Sequence, residues 1–282
     1  MEKKKDLLLS VGLNDLEAEV YLALLSEDLI TGYRIGKIIG KPTANVYKAI
    51  ESLAKKGALV FEDQKKGLCK ATPIEVFFET IENSIKQKAK EAVKLFSNPS
   101  PASYDEKSYQ IQSPELAIQK CREMLKACTT IAVIDAFPKT LSMLITDIVA
   151  TQKRGVKVVV QAYQQVDIPE VSITIPKSSP EILQRWKSQQ LNMVVDCKEY
   201  VLALFSEDLT QVFHATWSRN LYLASMYHIG FVNENTIHKI HDSISKPDLK
   251  ERIEEILDNK SFLSNDSIPG VEELLQRFGL SI

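Results

Sequence analysis

The chain has 282 residues, enough for about two domains that each bury their own core. Its 44% hydrophobic and 26% charged residues, with a formal net charge of -2, are typical of a soluble globular protein. No apolar run reaches about 18 residues and the apolar part of the N-terminus is too short for a signal peptide, so we expect a cytoplasmic protein without a membrane partner.

The first elements in chain order are short helices with recognisable ends. Asn14 and Glu17 form a capping-box pattern that opens one helix. Thr31 is a suitable N-cap for the next helix, which Gly40 ends, and Pro42 suits the first turn of a third helix because its missing N–H is not needed there. The apolar stripe of the second helix is predicted to comprise residues 35, 38 and 39.

The third helix has a clear division into an inner and an outer face. Val46, Ile50 and Leu53 follow the i, i+4, i+7 spacing and should face the core. The residues that then point outward are Ala44, Lys48, Glu51 and Lys55, with Asn45 and Tyr47 on the flanks. Two short strands at 59–61 and 68–72, joined by a polar turn that ends at Gly67, complete the pattern of a winged helix-turn-helix.

Positive charge is concentrated in this region. Residues 31–70 contain nine Lys or Arg and three acidic residues, which is the electrostatic pattern of a DNA-binding surface. The N-terminal half of the third helix would enter the major groove, so the candidates for base contact are Thr43, Asn45, Tyr47 and Lys48. The candidates for phosphate contact are Lys41, Lys55, Lys65 and Lys66. The alternatives are a generic helical domain with solvated lysines and, for Tyr47, packing against the wing.

A long helix is predicted from about residue 74 to 96. Its apolar residues at alternating steps of three and four are Phe78, Ile81, Ile85, Ala92 and Leu95, interrupted by Lys88. Such a narrow stripe favours a coiled-coil seam with a second copy of the chain, and the alternative is a helix packed on its own domain. The Pro- and Ser-rich residues 98–103 indicate a linker.

The remaining sequence alternates between helical and strand patterns, which predicts an α/β layer structure with a mixed sheet. The predicted helices are 114–127, 141–154, 180–189, 221 to 230 or beyond, 250–257 and 271–278. The predicted strands are 130–134, 156–161, 193–195, 201–205 and 212–216. The four cysteines form no CxxC pair, so we expect buried free thiols and neither a disulfide framework nor a metal site.

Residues 7–96 resemble the winged helix and linker of the TrmB family of prokaryotic transcription regulators. The residues that carry the resemblance are Gly12-Leu13, 17–21, 46–53, Lys56-Gly57 and 70–73. Residues 113–245 resemble the phospholipase-D-like domain of that family, through 154–158, 194–196 and 217–220. The expected architecture is α+β and α/β multidomain, with a winged helix-turn-helix at 1–73, a linker helix and linker at 74–103, a phospholipase-D-like regulatory domain at 104–245 and a helical tail at 246–282.

Active enzymes of the phospholipase D superfamily carry an HxKxxxxD motif. If Asp196 fills the acidic position, Gln189 stands where the nucleophilic His belongs and Leu191 where the phosphate-binding Lys belongs. Because neither can perform that chemistry, we expect no catalysis and no catalytic residue. The resemblance leaves Asp196, Ser218, Arg219 and Asn220 as a candidate effector pocket.

The sequence therefore predicts a sequence-specific, homodimeric transcription regulator that binds double-stranded DNA and uses no cofactor. A small-molecule effector of unknown identity would bind the second domain. Only about 37 residues follow Ser245, too few for an additional sugar-binding domain of the kind found in family members that sense sugars. Two alternatives stay open: a phosphodiesterase or nuclease that the winged helix delivers to DNA, and a winged helix used only for protein contacts.

Overall fold

The structure is a computed structural model that describes residues 2–27, 29–63, 67–96, 105–263 and 267–279. The chain divides into two compact units, Met1–Pro101 and Ala102–Ile282. The predicted phosphate contacts Lys65 and Lys66 and the predicted linker 98–103 lie outside the described residues. Of the helices that the structure describes, none is both long enough and apolar enough to span a membrane.

The first unit is helical with a small antiparallel sheet of strand order β1-β3-β2. Its elements are α1 (Glu2–Ser10), α2 (Asp15–Leu24), β1 (Ile30–Thr31), α3 (Gly32–Ile39), α4 (Thr43–Lys55), β2 (Leu59–Asp63), β3 (Leu68–Ala71) and α5 (Ile74–Phe96). The two wing strands and the three helices of the helix-turn-helix are confirmed. Strand β1 was not predicted because a two-residue strand has no periodicity to detect.

The predicted helix ends are formed largely by the expected residues. Asn14 Oδ1 accepts the Glu17 N–H at 2.9 Å and Glu17 Oε2 accepts the Asn14 N–H at 2.7 Å, which confirms the capping box. Thr31 Oγ1 accepts an N–H from the first turn of α3, and Gly40 ends that helix with φ of +65°. Pro42 is the N-cap of α4 with extended backbone, one position before the first turn in which we expected it.

The core of the first unit lies between α2, α3, α4 and the start of α5. Val46, Ile50 and Leu53 are buried as predicted. Ile38 was wrongly assigned to the apolar stripe of α3, because its side chain is 44% exposed while Ile35 fills the interior. The core also takes in Phe77 of α5, whose ring lies 5.1 Å from that of Tyr21.

The second unit contains a seven-stranded mixed sheet with helices on both faces, which confirms the α/β prediction. Its strands are β4 (Ser108–Gln110), β5 (Ile131–Ala136), β6 (Lys157–Ala162), β7 (Ser172–Thr174), β8 (Ser188–Val195), β9 (Glu199–Ser206) and β10 (Val212–Ser218). Its helices are α6 (Pro114–Ala127), α7 (Pro138–Ser142), α8 (Ile145–Gln152), α9 (Ser179–Arg185), α10 (Leu221–Ser243), α11 (Leu249–Leu263) and α12 (Pro269–Arg277).

The strand order is β4-β10-β9-β8-β5-β6-β7. Strands β5, β6 and β7 are parallel to one another, whereas β8, β9, β10 and β4 form antiparallel pairs. The register places Asp135 of β5 opposite Gln161 of β6 and Asn192 of β8. Three polar side chains from three neighbouring strands therefore meet on the face that α10 covers.

Two predicted helices of the second unit were wrong in extent. The predicted helix 141–154 is two helices, α7 and α8, with Met143 and Leu144 between them. The predicted helix 180–189 ends at Arg185, because Trp186 has an extended backbone, and Gln189 lies on strand β8. Every residue of β8 is buried or half-buried, so its sequence lacks the alternation that identifies a strand covered on one face.

The segment predicted as a C-terminal tail contributes to the second unit. Ile268 is buried in the core under α10, and the Gly270 N–H donates to the Asp196 carbonyl oxygen at 2.8 Å. A Cβ at Gly270 would stand 2.2 Å from the Cys197 carbonyl oxygen, so only glycine permits this approach. All four cysteines are buried free thiols, as expected.

Candidate functional site

The outward face of α4 is exposed in the arrangement that the helical spacing predicts. Asn45, Lys48 and Lys55 are exposed, and Thr43 at the start of the helix is half-buried. No ion pair joins Lys48 or Lys55 to another residue that the structure describes. Glu51 is exposed on the same face between the two lysines, so the positive surface is strongest toward the N-terminal half of α4.

Two other basic residues of this region form ion pairs within the unit. Arg34 Nη2 lies 2.8 Å from Glu27 Oε1, and Lys41 Nζ lies 3.7 Å from Glu19 Oε2. Lys41 is about half exposed and would have to leave a carboxylate to contact a phosphate. Lys55 has no such ion pair with another described residue, so it is the stronger candidate for phosphate contact. The number of basic residues in the sequence therefore overstates how many are free to bind.

Lys56 has a structural role that joins α4 to α2. Its Nζ lies 2.7 Å from Glu17 Oε2, and Ser52 Oγ donates to Glu17 Oε1 at 2.6 Å. Burial alone would raise the pKa of Glu17, but the hydrogen bonds from Lys56, Ser52 and the Asn14 N–H lower it below its ordinary value. The residue that caps α2 thereby also fixes the C-terminal end of α4 against it.

Tyr47 lies at the junction of α3, α4 and the wing. A Cβ at Gly32, the first residue of α3, would stand 2.7 Å from Tyr47 Cε1, and one at Gly67 in the wing would stand 3.6 Å from the same atom. The ring is nevertheless 40% exposed. Tyr47 therefore holds the wing and α3 beside α4 while presenting part of its ring to solvent, which combines the two roles considered for it.

The surface of α3 adds two residues that the sequence reasoning did not select. Tyr33 is exposed at the first turn of α3, and Lys37 Nζ lies 4.7 Å from the centre of its ring. Their i, i+4 spacing on a helix was the signal that could have found them. An aromatic ring with a lysine beside it adds a further basic position to the first unit.

The predicted dimer helix α5 has two different parts. Phe78 and Ile81 are half-buried and pack against the core of their own unit. The exposed fractions are 58% for Ile85 and 77% for Leu95, and Ala92 is exposed as well. Val93 and Phe96, which lie outside the predicted stripe, are also exposed. The distal half of α5 thus presents an apolar surface that the first unit itself does not cover.

In the second unit, Gln189 and Leu191, the two residues compared above with the phospholipase D motif, are both buried. Leu191 is fully buried in the sheet core. Gln189 is buried, and its Oε1 accepts the Lys139 N–H at 3.2 Å. His214 lies on strand β10, where its Nε2 is 2.9 Å from Thr216 Oγ1. No group of three His, Cys, Asp or Glu side chains suited to a metal ion occurs among the described residues.

Asp196 organises the turn between β8 and β9. Its two carboxylate oxygens accept the backbone N–H groups of Thr129, Thr130 and Ile131 at 2.8 to 2.9 Å and the Thr129 hydroxyl at 2.9 Å. Burial alone would raise the pKa of Asp196, but these backbone donors outweigh burial and lower it. The carboxylate is therefore occupied by the unit's own donors.

The other three residues of the predicted effector pocket differ in their surroundings. Ser218 is buried and its Oγ accepts the Asn220 N–H at 3.1 Å. Asn220 is the N-cap of α10, where its Oδ1 accepts the Leu223 N–H at 2.9 Å. Arg219 Nε lies 3.5 Å from Glu199 Oε1.

A cavity of about 340 Å³ brings together only Asp196 and Arg219 of the four. Its charged lining consists of Asp105, Asp196, Lys198, Glu199, Arg219 and Glu273. Four carboxylates therefore face two cations, and both cations are paired, Lys198 with Glu273 at 2.8 Å and Arg219 with Glu199. Such a lining does not favour a phosphate group.

Comparison with solved structures gives matches of low overall similarity. TrmBL2, described as an archaeal chromatin protein whose structure shows a novel mode of DNA binding, is 18% identical, with a TM-score of 0.36 over 83% of this chain and 96% of that one. Nuc from Salmonella typhimurium, a phospholipase D family member, is 12% identical, with a TM-score of 0.34 over 48% of this chain and 96% of that one.

Sequence comparison is more informative for the first unit. A curated relative, the uncharacterized protein YrhO of Bacillus subtilis (strain 168), is 22% identical over 242 residues, which make up 86% of this chain and 84% of that protein. Residues 7–75 match the family model described as "Sugar-specific transcriptional regulator TrmB". The matched residues form the winged helix-turn-helix described above, so over this domain the chain is similar to that family.

Proposed function

We propose that the protein is a sequence-specific transcription regulator that acts as a homodimer and whose second unit regulates DNA binding without catalysis. The observation that carries the DNA-reading part is the outward face of α4, where Asn45 and Lys48 are exposed and Lys48 has no ion pair with another described residue. In this assignment residues 1–73 bind DNA, 74–103 connect, 104–245 regulate and 246–282 form the C-terminal helices.

The N-terminal half of α4 enters the major groove in this proposal, as the recognition helix does in winged helix-turn-helix proteins. Thr43, Asn45, Tyr47 and Lys48 then meet base edges, for which the amide and ammonium groups supply discriminating hydrogen bonds. The contacts to phosphates come from Lys41, Lys55, Lys65 and Lys66. Phosphate contacts fix the position of the protein on DNA and make its affinity depend on salt.

The test is a fluorescence titration of the full chain against genomic DNA fragments at two salt concentrations. Lys48→Ala should weaken binding to the best fragment by about 1–3 kcal/mol, because it removes a base contact. Lys126→Ala, an exposed lysine of α6, is the charge-matched control and should bind as the wild type does. Equal binding of every fragment by wild type and Lys48→Ala would contradict the assignment of α4. No salt-dependent binding to any fragment would favour a winged helix used for protein contacts.

The absence of catalysis is proposed from the side chains at the motif positions. A phosphodiesterase of the phospholipase D superfamily needs a nucleophile and a cation for the phosphate, and Gln189 and Leu191 supply neither. We expect no turnover of aryl phosphodiesters or single-stranded DNA above background. Turnover that is lost in His214→Ala would instead support the alternative of a DNA-targeted phosphodiesterase.

The homodimer is proposed from the distal half of α5. Ile85, Val93, Leu95 and Phe96 are large apolar side chains, each exposed by more than half of its surface. Within the predicted stripe, Ile85, Ala92 and Leu95 are seven and three residues apart, which fits the spacing that pairs two helices in a coiled coil. A second copy of the chain would cover this surface, and two winged helices would then address two half-sites on DNA.

A further inference from the structure

A second cavity in the sheet unit has a different electrostatic character. It encloses about 200 Å³ between α10 and α11. The charged residues that line it are Lys239, Arg252, Lys260 and Glu255. Three cations thus face one carboxylate, whereas four carboxylates face two cations in the cavity at Asp196.

Lys239 is the most constrained of these cations. It projects from α10 and is half-buried, and its Nζ donates to Ser172 Oγ at 3.2 Å. No carboxylate forms an ion pair with it among the described residues. Burial and, after it, the positive charge of Lys157 lower the pKa of Lys239. A half-buried ammonium group without a counter-ion is costly, and an anion bound beside it would remove that cost.

Asn235 supplies a second, independent observation. It lies one helical turn before Lys239 on α10 and lines the same cavity, and its side chain is almost completely buried. Its Oδ1 accepts the Thr174 hydroxyl at 3.2 Å, while its Nδ2 has no hydrogen-bond partner among the described residues. Buried amide donors are nearly always paired, so this one indicates an acceptor that the unit itself does not provide.

We propose that the cavity between α10 and α11 binds the phosphate group of a small phosphorylated molecule. A phosphate group offers several strongly accepting oxygens to the ammonium, guanidinium and amide donors that come from two helices. Ile256 forms an apolar part of the lining, against which the organic part of the ligand packs.

The location gives the site a mechanical consequence. None of the described side chains of α11 is fully buried, so this helix is held by a limited apolar surface. An anion held jointly by Lys239 of α10 and Arg252 of α11 ties the two helices together. We expect the joining of α10 and α11 by the anion to alter the affinity for DNA. This expectation rests on the proposed function, whereas binding of the anion itself does not.

The test is calorimetric titration of the full chain with inorganic phosphate, with a hexose 6-phosphate and with the unphosphorylated hexose. We expect both phosphates to bind and the hexose not to bind. Lys239→Gln and Arg252→Gln should each weaken phosphate binding about tenfold, since each removes a charge-assisted hydrogen bond. Lys250→Gln, an exposed residue of the same helix α11 that pairs with Glu254, is the matched control and should bind as the wild type does.

The outcomes separate the site from the proposed function. Two results would overturn the site. One is that the wild type does not bind phosphate at a phosphate concentration of about 10 mM, which corresponds to a binding free energy weaker than about 3 kcal/mol. The other is that the wild type and Lys239→Gln bind phosphate equally. Lys239→Gln changes a half-buried side chain and could in principle disturb the fold. Thermal unfolding of the variant is therefore measured as a control and should show a cooperative transition. Phosphate binding that Lys239→Gln weakens, in a protein that binds no DNA fragment, confirms the site and contradicts the proposed function.

Discussion

The two units of the protein use their charged side chains in different ways. On α4 of the first unit, Lys48 and Lys55 are exposed and form no ion pair with another described residue. In the second unit, Asp196 is surrounded by backbone donors, and Arg219 is paired with Glu199. Charged groups that already have hydrogen-bond or ion-pair partners stabilise the fold, whereas charged groups without such partners are available to another molecule. The two regions therefore differ in how many of their charged groups already have a partner within their own unit.

Among the substitutions that test this comparison, Asp196→Ala is expected to cause the largest loss of stability. Asp196→Ala removes the acceptor of three backbone N–H groups at the start of β5 and leaves them without a partner. Because Asp196 and Ile131 are buried, water cannot fully replace this acceptor, and the free energy of unfolding should fall by about 3 kcal/mol. Urea denaturation of the full chain, followed by tryptophan fluorescence, measures the change; both tryptophans, Trp186 and Trp217, lie in the second unit.

Asp208→Ala is the control for that experiment. The Asp208 carboxylate also accepts several hydrogen bonds, from Ser206 and Thr210, but it lies on an exposed turn. Water replaces the lost acceptor there, so the loss should be much smaller. If Asp196→Ala were as stable as the control, the carboxylate would be dispensable for folding, and its role as part of an effector pocket would regain support.

The next effect concerns the buried carboxylate of Asp135. Burial raises the pKa of Asp135 to about 6, although hydrogen bonds from Asn192, Tyr163 and Gln190 oppose the rise. The folded unit therefore holds a proton more tightly than the unfolded chain does, and stability falls as pH rises from about 4 to about 6. Asp135→Asn cannot ionise, so its stability relative to the wild type should rise by about 1 kcal/mol between pH 5 and pH 7.5.

Urea denaturation of both proteins at the two pH values measures this change. The comparison between wild type and variant cancels the titration of groups common to both, including Asp196, whose lowered pKa acts in the opposite direction. An unchanged difference between the two proteins would mean that Asp135 ionises as an exposed carboxylate does. Its environment would then not be the buried polar cluster that the register of β5, β6 and β8 creates.

The parts of the fold that could be predicted from the sequence depend on neighbouring residues. The capping box at Asn14 and the inner face of α4 follow from local spacing. Of strand β8, residues 193–195 were predicted as a strand, but Ser188 and Gln189 were predicted as the end of a helix because burial on both faces removes the alternation. The need for glycine at position 270 arises from a contact with Cys197, about seventy residues earlier, which no local pattern reveals.

The same division applies to the candidate site. Lys48 could be placed on the outward face of α4 because helical periodicity fixes its direction. The ion pairs of Lys56 with Glu17 and of Lys41 with Glu19 depend on how α2 packs on the other helices, so the sequence could not separate these lysines from the unpaired ones. The positive cavity between α10 and α11 combines residues of two helices with Ser172, and it too required the tertiary structure.

The smallest effect on stability is expected for Ile85→Asp in α5. This substitution tests the exposed distal part of the helix separately from the part that packs on its own unit. Ile85 is exposed in the single chain, so the charge should change the unfolding free energy of the monomer by less than about 0.5 kcal/mol. In a dimer seam the same carboxylate would be buried without a partner, and light scattering at micromolar concentration should therefore show monomers in place of dimers. Ile81→Asp is the matched control, because Ile81 packs on its own unit and its replacement should lower the stability of the first unit. A wild type that is monomeric, or an Ile85→Asp variant that stays dimeric, would show that the apolar surface of distal α5 is not the dimer interface.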